Sequence, residues 1–159
     1  MPFIIDGYNL LHSIQKTAEE HESITDIGLC KILDRYLQRM RDSGQVIFDG
    51  TGPPDKDIFN TLYNLEITFS GPALEADEII ENKIRANTAP KKLSIISDDR
   101  KLQRTARTRK AVSIRCQKFW DDVQKQLRRK KTAKEPAEKR FGLNESETDR
   151  WLDFFDIKQ

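Results

Sequence analysis

The chain has 159 residues, 34% charged and 36% hydrophobic, which suits one soluble α/β domain and excludes a fibrous or low-complexity chain. No apolar run approaches the roughly 20 residues of a membrane-spanning helix, and MPFIIDGYN lacks the basic and apolar plan of a signal peptide. Net charge is only +2, yet residues 100–140 carry 16 Lys+Arg against 4 Asp+Glu, a segregation that fits either a polyanionic partner or a solvated basic tail.

PFIID (2–6) reads as the first strand, with Asn9 able to cap the first helix and His12 on that helix's surface. His21 reads as a loop residue. ITDIGLCKILDRYLQRM then spaces Ile27, Cys30, Leu33, Leu37 and Met40 at helical intervals, widened by Leu29 and Tyr36. Thr25 or Asp26 caps that helix and Ser43-Gly44 stops it. QVIFD (45–49) is the second strand. A helix is expected after Pro53-Pro54, with Asp55 near its start and Ile58, Phe59 and Leu62 facing inward.

LEITF (65–69) is the third strand, and a helix from about Ala76 to Ala86 follows the Gly71-Pro72 turn. KLSIIS (92–97) precedes a helix reaching about Arg107, and AVSIR (111–115) precedes one from about Lys118 to Lys131, with Phe119 and Trp120 in the core. Several strand runs are continuously apolar, as in a parallel sheet buried on both faces. Their alternation with helices predicts right-handed crossovers and a doubly wound sheet. The domain is expected over 1–125, followed by a basic linker (126–142). A short amphipathic helix (143–159) ends the chain, its greasy face made by Leu143, Trp151, Leu152, Phe154 and Phe155. Cys30 and Cys116 form no metal-ligand spacing and read as buried thiols in a reducing cytoplasm.

Ligands of open parallel sheets bind outside the carboxyl ends of the strands, and there the acids gather. Asp6 ends the first strand, Asp49 the second, and Asp98-Asp99 follow the fourth; Asp77 and Glu81 share one face of the third helix start, just after Glu75. Each has an ordinary explanation as a cap, a turn or a partner of the helix dipole. Crowded on one rim they repel, and a divalent cation relieves that repulsion. Oxygen-only ligands suit Mg²⁺ or Mn²⁺. Beside them DDRKLQRTARTRK carries Arg100, Lys101, Arg104, Arg107, Arg109 and Lys110, cations suited to a phosphodiester backbone.

DGYN after the first strand, FDG after the second, the GPALEADEIIE helix start and SDD after the fourth occur in order over residues 2–120. This set resembles the NYN domains of the PIN-like nuclease superfamily, in particular the YacP-like branch. The resemblance implies a three-layer α/β/α sandwich around a mainly parallel five-stranded sheet, and a Mg²⁺- or Mn²⁺-dependent endoribonuclease. It implies that Asp6, Asn9, Asp77 and Asp98 are catalytic and that Asp6, Asp77 and Asp98 hold metal. Glu81, Asp49 and Asp99 are further candidate metal-site residues: Glu81 and Asp49 match further acids of the family, and Asp99 is a neighbour of Asp98. Where YacP-like chains often have a small residue and then a polar one such as His after the second acid, this chain has Gly50-Thr51-Gly52-Pro53. Family contacts of that loop are therefore not carried over, and the tail beyond about 125 falls outside the motifs.

The expected reaction is hydrolysis of RNA phosphodiesters, with Arg100, Lys101, Arg104 and Arg107 binding the backbone of a ribosome-associated mRNA, a tRNA or an rRNA. The alternative is a catalytically weak PIN-like module that grips RNA or the ribosome. A phosphatase is disfavoured, because Asp6 is followed by Gly7, Tyr8 and Asn9 instead of a D-x-D-x-T pattern, and no GxxxxGK[ST] loop is present.

Overall fold

A computed structural model describes residues 2–17 and 24–129. The expected C-terminal helix, most of the linker and His21 lie outside the described residues. Five strands, β1 (Phe3–Asp6), β2 (Gly44–Phe48), β3 (Leu65–Phe69), β4 (Ser94–Ile96) and β5 (Val112–Ile114), form a sheet in the order β3-β2-β1-β4-β5. Every pairing is parallel. The helices are α1 (Gly7–Thr17), α2 (Asp26–Met40), α3 (Ala76–Ala86), α4 (Arg100–Thr108) and α5 (Cys116–Arg128).

Strand alternation divides the apolar residues between two cores. Ile5, Val46, Phe48, Leu65 and Ile96 meet Leu10, Ile14, Leu29, Leu33, Phe119 and Trp120, packing α1, α2 and α5 on one face. Ile4, Ile47 and Ile95 meet Ile80, Ile84, Leu102 and Ala106 of α3 and α4 on the other. The register explains the division: Ile5 stands opposite Val46 and Ile96, while Ile4 stands opposite Ile95. Each fully buried Ile or Leu contributes about 1.5–3 kcal/mol, so the unbroken runs of β1, β2 and β4 demand helices on both faces. Both cysteines are buried and unpaired, as expected.

Local differences have local causes. Thr25 caps α2, its side chain accepting the Gly28 N–H. The helix stops before Ser43-Gly44, because Arg41 turns into the left-handed region at φ 54° and Gly44 already belongs to β2. Met40, the last residue of the apolar stripe, is 43% exposed there. The segment after Pro53-Pro54 is a 3-10 turn over Asp57–Thr61 and not an α-helix. Three residues per turn bury Phe59 but leave Ile58 exposed.

Candidate active site

β1 and β4 are neighbours, but α1 leaves β1 for one face and α4 leaves β4 for the other. The crevice at their carboxyl ends is the sheet's topological switch point. Asp6 closes β1 there. It directly precedes α1, and its carboxylate accepts the Asn9 N–H; Asp6, and not Asn9, therefore caps this helix. Gly7 follows because a Cβ at that position would lie 2.4 Å from Cδ1 of Phe48, so the first turn of α1 lies on that ring only without a side chain.

Asn9 has a long-range task. Its Oδ1 accepts the Asp98 N–H at 2.8 Å and faces the Cys116 thiol at 3.3 Å, joining α1 to the loop after β4 and to the start of α5. Ser97, fully buried at the end of that strand run, donates its hydroxyl to Oδ2 of Asp6 at 3.1 Å and accepts the Asp99 N–H at 3.0 Å. Sequence reasoning, which places Ser97 only at the end of a strand run, misses this bridge. A small polar residue ending an apolar strand run just before two acids was the available signal.

The remaining acids also engage helix starts. Asp98 accepts the Cys116 N–H at 2.9 Å on Oδ1, which lies 3.8 Å from Nε of Arg115. Asp99 caps α4 with Oδ1, accepting from the N–H groups of Lys101 (2.8 Å) and Leu102 (3.2 Å). Asp49 Oδ1 accepts the Ala76 N–H at 3.1 Å, the first residue of α3, and the Ser70 hydroxyl at 3.2 Å. Four helix N-termini thus point their partial positive charge at this rim, each through a carboxylate. Capping and crowding coexist here; the ordinary explanation does not displace the functional one.

Asp77, in the first turn of α3, differs: its Oδ1 is buried and has no hydrogen-bond partner. Burial, aided by the charges of Asp99 and Asp77, pushes the Asp6 carboxyl up to about 6 against the hydrogen bonds from Ser97 and Asn9. Exposed Glu75 is pushed up as well, by Asp77 first and then by Asp49 and Glu78. Asp6, Asp77 and Asp99 therefore share one electrostatic neighbourhood, with Asp49 and Glu75 on its α3 side. Glu81 is engaged elsewhere. It is buried and paired with Arg85 and, at 3.3 Å, with Nζ of Lys101. Arg100, Arg104 and Arg107 are exposed on α4, whereas Arg109 donates to the Asn87 carbonyl at 2.9 Å.

Among the described residues, no three His, Cys, Asp or Glu side chains form a ready ligand cluster. The donor set nonetheless fits a hydrated hard cation, which takes one or two carboxylates directly and keeps several waters. The orphaned Asp77 oxygen is the acceptor such an ion would satisfy.

A family model described as the YacP-like NYN domain matches residues 3–154, a longer stretch than the motifs of the first 120 residues cover. The fold is similar to the crystal structure of Rae1 (YacP) from Bacillus subtilis at 20% identity and TM-score 0.65, covering 99% of this chain and 89% of that one. A mutant form of the same protein matches at 20% identity and TM-score 0.62, covering 80% and 77%. No curated protein matches the chain. With the rim geometry, the all-parallel sheet and a family match over nearly its whole length, this chain belongs to the YacP-like NYN domain family.

Proposed function

We propose that the chain is an endoribonuclease hydrolysing RNA phosphodiester bonds with Mg²⁺ or Mn²⁺ held at the carboxyl ends of β1 and β4. Membership of a nuclease-type, RNA-related family sets the reaction class. The observation that carries the finer reading is the buried, unpartnered Oδ1 of Asp77 beside an Asp6 carboxyl already strained by burial and neighbouring acids. Asp6 and Asp77 would hold the ion. Asp98 and Asp99, each with Oδ1 committed to a helix start, would help hold it. The bound cation would supply a more acidic water and stabilise charge developing on the phosphate.

The chain's own groups do the rest. The Ser97 hydroxyl fixes the Asp6 carboxylate. Asn9 holds the Asp98 backbone, so α1 and the loop after β4 keep one geometry. Asp49 sets the position of Asp77 by anchoring the first N–H of α3. Near pH 7 Asp6 is mostly ionised, since its proton leaves at about 6. Arg100, Arg104 and Arg107 bind flanking phosphates; Lys101 contributes less, its charge being shared with Glu81.

Purified protein incubated with single-stranded and structured RNAs should cut in Mn²⁺ and stop with chelator. Asp6→Asn and Asp77→Asn should each lose at least about 100-fold in rate while remaining folded, the scale expected when transition-state charge stabilisation is removed. Parental rates in both variants would refute the assignment. The alternative, an RNA- or ribosome-binding module with little chemistry, draws support from the lack of a three-carboxylate cluster among the described residues. It predicts a salt-sensitive gel shift with intact RNA in Mn²⁺.

A further inference from the structure

An aromatic ladder runs along the β2 and β3 side of the rim. Phe48, fully buried at the end of β2, stacks on Phe69 with centroids 5.5 Å apart and planes at 22°. Its ring also meets Tyr8 at 5.0 Å. Tyr8 in turn stacks with His12, one helical turn further along α1, at 6.5 Å and 25°. Tyr8 is half-buried and His12 exposed. The ladder thus begins in the core, passes Tyr8 two residues beyond Asp6, and ends in solvent at His12.

The strand order sets this ladder against the cations. β2 and β3 lie on one side of β1, β4 and β5 on the other. Arg100, Arg104 and Arg107 leave from the β4 side, Tyr8 and His12 stand over the β2 side, and Asp6 lies between them. Tyr8 follows Asp6 by two residues and packs on Phe48, the residue before Asp49. It therefore belongs to the rim and not to a remote patch. The geometry points to Tyr8 and His12 as a stacking platform for an unpaired nucleobase next to the scissile phosphate. This rests on the nuclease reading and deepens it: one flank of the site holds backbone phosphates and the other holds a base.

The chemistry of the occupant follows. A base reaches an aromatic face only when it is out of a duplex, so the platform selects single-stranded RNA or an extruded base. Every base has a π-face, so stacking of this kind tolerates sequence variation. The buried Phe48 holds Tyr8 before any ligand arrives, and a pre-ordered ring loses little freedom on binding. The ordinary role for His12, a solvated residue on a helix surface, does not account for its ring stacking with that of Tyr8.

The test uses the full chain, Mn²⁺ and a short phosphorothioate single-stranded RNA that resists cutting, read by fluorescence anisotropy. His12→Ala, at an exposed position, and Tyr8→Leu should each weaken binding at least about fivefold, the low end for loss of one base stack. Tyr8→Phe should bind as the parent does. Abasic substitutions scanned through the RNA should weaken the parent at one position, and there His12→Ala should add no further loss, because both changes remove the same contact. Parental affinity in His12→Ala and Tyr8→Leu, or penalties that add at every position, overturns the platform alone. A parent chain that neither binds nor cuts RNA overturns the platform together with the nuclease reading.

Discussion

Asp6 does three things at once: it ends β1, caps α1 and stands in the field of Asp99 and Asp77. Its folded-state proton affinity follows. Burial keeps the proton up to about pH 6, whereas the ordinary aspartate value, which stands for the unfolded chain, is 3.8. Between those values the native state binds more protons, so this group's contribution is present below 3.8 and is lost as pH rises through 6. The loss is on the order of 3 kcal/mol. In chelator, the urea midpoint of the parent should fall between pH 4 and 7 more steeply than that of Asp6→Asn; parallel profiles would show that Asp6 titrates normally. Gly7 gives a second test at this scale. A methyl group there meets the buried Phe48 ring, and overpacking of this kind costs about 1–3 kcal/mol. Gly7→Ala should lower the unfolding midpoint accordingly, and an unchanged midpoint would mean that Phe48 moves freely.

At the scale of elements, helix starts carry the site. Asp99 caps α4 and Asp49 anchors α3 from another strand. Asp99→Ala should cost about 0.5–2 kcal/mol, the usual loss of a cap, measurable by chemical unfolding. Asp99→Asn keeps the cap acceptor and should restore most of that stability, which separates capping from charge. The apolar runs of β1, β2 and β4 and the period of α2 made the sheet and most helices legible, because burial on both faces writes itself into consecutive residues. The acids at strand ends were legible for the same reason: they stand where each run stops. The partner of Asn9 was not, since Asp98 lies 89 residues away and no local pattern encodes a contact between α1 and the loop after β4. Glu81 was misleading in a similar way. It shares a helical face with Asp77, yet Lys101 on the neighbouring helix neutralises it. The 3-10 turn at Asp57–Thr61 was misread because Ile58, Phe59 and Leu62 fit a period of three residues as well as one of 3.6.

Across the whole molecule, like charge gathers where the sheet reverses its order, and that arrangement is costly without a counterion. Helix dipoles and caps offset part of the repulsion, but the Asp77 oxygen is left buried and unpartnered. A ligand that binds only the native state stabilises it by mass action, about 2.7 kcal/mol at a concentration of 100 Kd. Saturating Mg²⁺ or Mn²⁺ should therefore raise the melting temperature at pH 7, and chelator should reverse the rise. Asp77→Asn should abolish most of this response. It can leave chelated protein as stable as the parent or more so, because it removes a charge from a crowded rim. Glu81→Gln should behave in the opposite way. Its buried charge is already matched by Arg85 and Lys101, so the variant loses stability in chelator yet keeps the response to the ion. If the two variants respond alike, the cation is not read by the switch-point acids, and the rim is a set of helix caps.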